Sequence, residues 1–145
     1  MKKKFTFCFD IDNTICKTQG SNYKNSKPKK KIINKINKLY NNGHTIKIYS
    51  ARYMGRNKDN VYKANKQGYK KTYSQLINWG LKFHKLSINK PSSDVYIDDK
   101  AFGYKEAVDD LCYQKMEFDQ ILSLNHHLLN LFPSNSGTSP LEVAL

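Results

Sequence analysis

The amino-acid sequence predicts an α/β fold, a Rossmann-like three-layer sandwich in which helices cover both faces of a mostly parallel sheet. Segments that are apolar or alternate in polarity, as strands do, are separated by segments with apolar residues at helical spacing. This order favours parallel pairing, because each helix returns the chain to the same edge of the sheet. The chain has 145 residues. We predict one domain over residues 1–132 and a flexible tail over residues 133–145.

Two strands and one helix are predicted in the first third of the chain. Residues 4–11 are aromatic and apolar without a helical period, which indicates a strand between helices with Cys8 buried inside it. Pro28 is expected to open a helix that ends at Asn42 and Gly43, with isoleucines on its apolar face. Residues 44–50 alternate in polarity and predict the second strand.

The remaining elements are predicted from shorter patterns. Residues 51–68 are polar and predict an irregular segment, followed by a helix over residues 69–80. Residues 85–88 indicate a short strand, and residues 94–98 indicate a clearer one. A third helix is expected over about residues 119–131, where leucine is frequent. No segment between Thr14 and Pro28, or between Arg52 and Tyr69, is long enough for a separate cap domain.

The formal net charge of +13 raises the hypothesis of a nucleic-acid partner, since clustered cations bind phosphate backbones. We do not favour it, because nearly all the cations are lysines spread along the chain, a bias typical of an AT-rich coding sequence. The three cysteines have neither the even number of a disulfide framework nor the CxxC spacing of a metal site, which favours a reduced, cytoplasmic setting. No segment approaches the roughly 20 apolar residues of a membrane helix, so no membrane association is expected.

Polar side chains lie at the carboxyl ends of the predicted strands. They are Asp10 with Asp12, Ser50, Lys90, and Asp98 with Asp99. The carboxyl ends of parallel strands meet at one edge of a sheet, where ligands bind. So many carboxylates suggest a hard cation such as Mg²⁺, while the hydroxyls of Thr14 and Ser50 and the charge of Lys90 suit phosphate oxygens. The sequence therefore predicts a site for phosphoryl transfer.

Other proteins use aspartates at similar spacing, and the Asp-x-Asp-x-Thr pattern alone is common. An EF-hand loop starting at Asp10 is excluded, because Ile15 and Ser21 occupy the positions that need glycine and glutamate. A phospho-receiver domain would need a lone aspartate at the end of a middle strand, and Asp59 lies in a polar loop instead. The four elements in order favour the phosphoryl-transfer site.

The four motifs resemble those of the haloacid dehalogenase superfamily of phosphohydrolases, over about residues 5–107. They are the segment Asp10 to Thr14, Ser50 after the second strand, Lys90 before Pro91, and the pair Asp98-Asp99. More narrowly, the chain resembles small capless bacterial phosphatases of capsule and surface-polysaccharide biosynthesis. The segments that carry this narrower resemblance are residues 42–44, 50–52, 72–79, 90–91 and 97–101.

The resemblance implies a core without a cap and a covalent mechanism. Asp10 would attack phosphorus and form an aspartyl phosphate, and Asp12 would act first as acid and then as base. Mg²⁺ would be held by the Asp10 carboxylate, the Asp12 main-chain carbonyl and Asp98, with Asp99 next to them.

The remaining roles concern the substrate. The resemblance implies that Ser50 and Lys90 bind phosphoryl oxygens and that Thr14 orders the first loop. Arg52 is our candidate for binding a substrate phosphate or carboxylate, since a guanidinium grips such groups with two hydrogen bonds. Asn13 departs from the family pattern, because glycine is common there.

The resemblance favours a sugar phosphate as the substrate. One alternative is a phosphatase acting on nucleotides or nucleic-acid ends, which the basic charge would favour. Another is a non-catalytic phosphate-binding protein, although binding alone would not need Asp12.

Overall fold

A computed structural model describes residues 3–101 of the chain. The chain divides into two compact units, residues 1–92 and residues 93–145. The predicted helix over residues 119–131 and the tail over residues 133–145 lie outside the described residues. A single domain over residues 1–132 stays a prediction.

The first unit contains five strands, two α-helices and two single turns of 3-10 helix at Tyr23–Asn25 and Gly55–Asn57 within the described residues. The α-helices and strands are β1 (Thr6–Phe9), β2 (Cys16–Lys17), β3 (Lys27–Pro28), α1 (Lys30–Asn41), β4 (Thr45–Ser50), α2 (Val61–Asn78) and β5 (Lys85–Ile88).

The central sheet consists of β1, β4 and β5 in that order, and both pairings are parallel. Ile48 of β4 lies opposite Phe9 of β1 and Leu86 of β5. Strands that are consecutive in this sheet are joined through α1 and α2, as expected of β-α-β units. The α/β fold class is thereby confirmed and is compatible with a Rossmann-like core. The part of the chain that the structure describes shows no cap domain.

The two faces of the central sheet differ in exposure. Ile46, Ile48 and Ile88 are buried on one face, and Ile88 belongs to a core cluster with Ala64 of α2. On the other face the side chains of Cys8 and Lys47 are exposed. The prediction that Cys8 is buried is therefore wrong, because the period of two in the sheet places Cys8 opposite Lys47, on the face that does not hold the buried isoleucines.

Helix α1 has the predicted apolar face but begins later than expected. Its buried residues are Ile32, Ile33 and Ile36. Pro28 was expected to open the helix and instead lies in β3, which pairs in antiparallel orientation with β2. A short hairpin therefore separates β1 from α1.

Helix α2 begins at Val61, and the prediction of an irregular segment over residues 51–68 is wrong for its last part. The main-chain N–H of Lys63 donates to the Asn60 side chain at 2.9 Å and caps the helix. The residues buried along its first turns include Ala64 and Gly68. Because these buried residues are small, they form no apolar stripe, and the first half of the helix cannot be recognised from periodicity in the sequence.

The predicted strand over residues 94–98 is wrong: the structure assigns no strand there, and no strand of the described residues pairs with it. Val95 and Ile97 are 64% and 53% exposed. Alternating apolar residues indicate a strand because one of its faces is normally buried, and here that burial is missing. Neither α1 nor α2, the helices within residues 3–101, is a candidate membrane span.

Candidate active site

The carboxyl ends of the three parallel strands bring together Asp10, Ser50 and Lys90, as the sequence predicts. Asp10 directly follows β1, Ser50 ends β4, and Lys90 lies two residues beyond β5. The main-chain N–H of Lys90 donates to the Ser50 carbonyl at 3.3 Å. The Lys90 ammonium, Nζ, lies 3.9 Å from Asp10 Oδ1. These contacts place a carboxylate and a cation side by side at the strand ends.

The Asp10 carboxyl group is partly shielded from water, with 35% of the side chain exposed. Burial raises its pKa above the ordinary aspartate value, and the nearby Asp12 adds to this increase. Lys90 and the main-chain N–H of Ile11 act in the opposite direction without cancelling the effect of burial. Its environment therefore favours the neutral form more than water does.

The Asp12 carboxylate forms an ion pair with Arg52. Arg52 Nη2 donates to Asp12 Oδ1 at 2.8 Å, and Arg52 Nε donates to Oδ2 at 2.8 Å and to Oδ1 at 3.1 Å. This two-point arrangement is the strong, directional geometry of guanidinium with carboxylate. Thr18 Oγ1 also donates to Oδ1, at 2.5 Å. The carboxylate is thus held mainly through Oδ1.

Arg52 itself is 1% exposed and is fixed on its other edge. Its Nη1 donates to Gln75 Oε1 at 2.7 Å, and its guanidinium carbon lies 4.9 Å from the centre of the Tyr23 ring. Burial alone would lower the pKa of Arg52, but hydrogen bonds and charge from Asp12 raise it overall, so the guanidinium stays charged. The guanidinium of Arg52, predicted to bind a substrate phosphate or carboxylate, is thus already bound to Asp12. Because Arg52 is also buried, a substrate would find almost no surface of it to contact.

The two predicted hydroxyl groups lie at different depths. Ser50 is completely buried, and its Oγ accepts a hydrogen bond from the main-chain N–H of Arg52 at 3.1 Å. Thr14 is half-buried, and its main-chain N–H donates to the Ile11 carbonyl at 3.1 Å in the turn after β1. The predicted contact of the Ser50 hydroxyl with a phosphoryl oxygen stays a prediction.

Asn13, at the position where glycine is common in the resembled family, has a φ of 62°. This left-handed conformation favours glycine, and asparagine is among the residues that tolerate it best. Its Oδ1 also accepts the main-chain N–H of Thr18 at 3.2 Å. Asn13 can therefore form the same turn between Asp12 and Thr14 that a glycine would form.

Sequence reasoning missed several residues that surround the Asp12–Arg52 pair. Thr18 and Ser26 come from the β2–β3 hairpin, with 2.7 Å between their hydroxyl oxygens. Since the Thr18 hydroxyl donates to Asp12, Ser26 is the donor in that contact. Gln75 joins the hairpin to α2, because its Nε2 donates to the Tyr23 carbonyl at 2.7 Å. No spacing rule identifies these residues, although a polar stretch directly after two acids was the available signal.

Asp98 and Asp99 belong to the second unit, where both are exposed. Asp98 Oδ1 accepts the main-chain N–H of Lys100 at 2.7 Å, as in an ordinary turn. Within residues 3–101, no group of three or more histidine, cysteine, aspartate or glutamate side chains is placed to hold a metal ion. The part of Asp98 and Asp99 in a metal site stays a prediction.

No family model matches the chain. No curated protein matches it either. Among solved structures, the chain is similar to the crystal structure of an MCSG target from Vibrio cholerae, with a TM-score of 0.74 and 24% sequence identity. The match covers 86% of this chain and 98% of the other. At this identity the likeness shows that the two proteins share a fold.

Proposed function

We propose that this protein is a Mg²⁺-dependent phosphomonoester hydrolase that acts through an aspartyl phosphate on Asp10. The observation that carries the proposal is the contrast between two neighbouring carboxylates. Asp10 is partly exposed beside the Lys90 ammonium, whereas Asp12 is held by the buried Arg52. Two acids in different environments can take different roles in one reaction.

The chain's own residues divide the chemistry between them. An Asp10 oxygen forms a bond to phosphorus while the bond from phosphorus to the leaving oxygen breaks, and Asp12 gives that oxygen a proton. Asp12 then takes a proton from water as the water oxygen attacks phosphorus and the Asp10 carboxylate is released. Lys90, 3.9 Å from Asp10, is positioned to stabilise negative charge on the phosphoryl oxygens.

The kinds of oxygen that Asp10 and Asp12 offer suit the proposed cation. Magnesium is commonly held by one or two protein carboxylates together with water and phosphate oxygens. Asp10 offers a carboxylate, and the role proposed for Asp12 uses its main-chain carbonyl, so the Arg52 ion pair does not compete with it. Asp98 and Asp99 are the further proposed ligands. Bound there, Mg²⁺ would neutralise charge on the phosphoryl group.

The proposed substrate class is a sugar phosphate or related small phosphate of capsule or polysaccharide biosynthesis. Resemblance to the capless phosphatases supports this class, and the absence of a cap domain in the described residues agrees with an open site. We also propose a cytoplasmic location, which is supported by Cys8 and Cys16 as free thiols.

A phosphate-release screen tests the proposal. Purified protein with Mg²⁺ is offered sugar phosphates, nucleotides and phosphorylated DNA ends, with Asp10→Asn as the matched control. We expect release from at least one sugar phosphate, dependence on Mg²⁺, and loss of at least about 10³-fold in Asp10→Asn, since the variant lacks the nucleophile.

Each other outcome selects a different function. Release mainly from DNA ends, with a steep loss in salt, would favour the nucleic-acid alternative, for which the net charge of +13 is the supporting observation. Phosphate binding without release from any compound would favour the non-catalytic alternative. Release that survives in Asp10→Asn would refute the assigned nucleophile.

A further inference from the structure

We infer that Arg52 is a positioning residue that anchors Oδ1 of Asp12 and leaves Oδ2 as the oxygen that exchanges the proton. The inference rests on the proposed function and assigns Arg52 a different task from binding the substrate. It concerns the orientation of the Asp12 carboxylate, which decides whether a proton can reach the leaving oxygen along a hydrogen bond.

The two oxygens of Asp12 have unequal sets of donors in the described residues. Oδ1 accepts from Arg52 Nη2 at 2.8 Å, from Arg52 Nε at 3.1 Å and from Thr18 Oγ1 at 2.5 Å, and the Cys16 thiol lies 3.8 Å away. Oδ2 accepts from Arg52 Nε at 2.8 Å. A carboxylate oxygen has two lone pairs, so Oδ1 is fully engaged while Oδ2 keeps one lone pair for a proton.

The guanidinium is rigid enough to act as an anchor. Gln75 Oε1 accepts from Nη1 at 2.7 Å, the Tyr23 ring centre lies 4.9 Å from the guanidinium carbon, and only 1% of the residue is exposed. The main chain is fixed as well, since Ser50 Oγ accepts the Arg52 N–H at 3.1 Å. Side chain and backbone are therefore both held from outside the ion pair.

The residue after Arg52 adds a further constraint. Tyr53 has a φ of 65°, which is uncommon for a bulky residue and persists only where the surroundings hold it. Its ring lies 5.1 Å from that of Tyr23, the ring that also covers Arg52. The chain thus turns sharply directly after Arg52, and the same ring packs on both sides of that turn.

The proton balance of the two steps assigns the task to Oδ2. Oδ2 first takes up a proton from water; in the first step, this Oδ2–H bond breaks and the proton goes to the leaving oxygen as the phosphorus–oxygen bond to that group breaks. In the second, a proton of the attacking water passes to Oδ2 as the bond between Asp10 and phosphorus breaks. Oδ1 stays on Arg52 and Thr18 throughout, so the orientation set by Arg52 serves both steps.

The experiment compares leaving groups, because a misplaced acid matters most when the leaving oxygen is strongly basic. We would measure kcat/KM for p-nitrophenyl phosphate, phenyl phosphate and an alkyl phosphate in the wild type, Arg52→Lys, Thr18→Val and Asp12→Asn. This quantity reports the first step, in which the leaving group departs, and not the later hydrolysis of the aspartyl phosphate, which is the same for every substrate. Arg56→Lys is the matched control, since this exposed arginine lies over the Tyr23 and Tyr53 rings. A double variant, Asp12→Asn with Arg52→Lys, completes a cycle.

We expect Arg52→Lys to lose about 10²-fold on the alkyl phosphate and less than about 5-fold on p-nitrophenyl phosphate, the pattern of impaired general acid catalysis. Thr18→Val should lose about 10-fold on the alkyl phosphate, as expected from one hydrogen bond. Arg56→Lys should match the wild type. In the Asp12→Asn background, Arg52→Lys should cause no further loss, because the anchored group is absent.

The opposite results overturn the inference. Equal losses on all three leaving groups in a folded Arg52→Lys variant, or additive losses in the cycle, would refute the positioning role and leave the proposed phosphatase function intact. Should Arg52→Lys fail to fold, Thr18→Val decides, and an even loss across leaving groups would refute it. A wild type without release from any compound would refute both proposals together.

Discussion

Asp10 and Asp12 are two residues apart, yet the structure gives their carboxylates different surroundings. Asp10 directly follows β1, the Lys90 ammonium lies 3.9 Å from it, and burial raises its pKa. Asp12 lies in the turn that follows, where a buried guanidinium and a hydroxyl hold it. Position in the sequence therefore makes the two acids neighbours, and the elements that fold over them make them different.

The difference shows how a fold separates two chemical roles. A nucleophile must be reachable by the substrate, so partial exposure beside a cation 3.9 Å away suits Asp10. A group that transfers protons needs a fixed direction more than exposure. Residues of the β2–β3 hairpin and of α2 supply that direction to Asp12 through Thr18 and Gln75.

The largest contrast should appear when each carboxylate is removed. We expect Asp12→Ala to lower the free energy of unfolding by about 3 kcal/mol, since it leaves the Arg52 charge buried without its partner. Asp10→Ala should change it by less than about 1 kcal/mol, because the pair with Lys90 is wide and partly exposed. Urea unfolding of both variants measures this. Equal losses would remove the distinction between the two acids.

A smaller effect on the free energy of unfolding is expected from adding a methyl group at Gly68, which packs against Tyr53, the residue after Arg52. An added Cβ at Gly68 would lie 2.1 Å from Cδ2 of the Tyr53 ring. Overpacking of this kind costs about 1–3 kcal/mol and exceeds the gain of up to about 1 kcal/mol that alanine brings to a helix. Gly68→Ala should therefore lower the free energy of unfolding by about 1–2 kcal/mol, again measured by urea unfolding.

The exposed Lys70 of the same helix provides the control for that measurement. Lys70→Ala removes no buried contact and should leave the free energy of unfolding within about 0.5 kcal/mol of the wild type. A Gly68→Ala protein as stable as Lys70→Ala would mean that the Tyr53 ring moves aside at no cost. The ring would then not constrain the turn after Arg52.

The residues that meet at the strand ends could be predicted from the sequence, because their meeting depends on the order of strands and helices and on few particular side-chain contacts. Parallel strands bring their carboxyl ends to one edge, and Asp10, Ser50 and Lys90 are indeed together there. The surroundings of Asp12 were not predictable in the same way. They depend on Thr18 in a hairpin whose strands have two residues each, and on Gln75 in a helix with a small-residue face.

The misplaced elements have the same physical origin. Periodicity reports burial, so it fails where the buried residues are small, as in the first half of α2, or where apolar residues are exposed, as at Val95 and Ile97. Cys8 was assigned to the core because its strand is apolar, and the alternation of faces places it outside. Side-chain size and tertiary cover decide these cases, and a single sequence gives neither directly.

The smallest predicted effect is a pH-dependent change in stability that comes from the charge of Asp10. Because its folded-state pKa is raised above the unfolded value, the native state binds more protons than the unfolded state between those two values. Wild-type stability therefore falls as the pH rises through this window, and the cost of the charge is complete above the folded pKa. The asparagine side chain of Asp10→Asn does not ionise, so the variant does not lose stability in this way.

We thus expect Asp10→Asn to be more stable than the wild type at pH 7, by less than about 1 kcal/mol because water screens a side chain that is 35% exposed. The advantage should vanish as the pH falls below about 4, the ordinary aspartate pKa. Thermal unfolding in EDTA from pH 3.5 to 8 measures it. Lys90→Met removes the charge that lowers the Asp10 pKa, so the benefit of adding Asp10→Asn should be larger in that background. A benefit that is independent of pH would mean that amide packing, not the charge of Asp10, accounts for it.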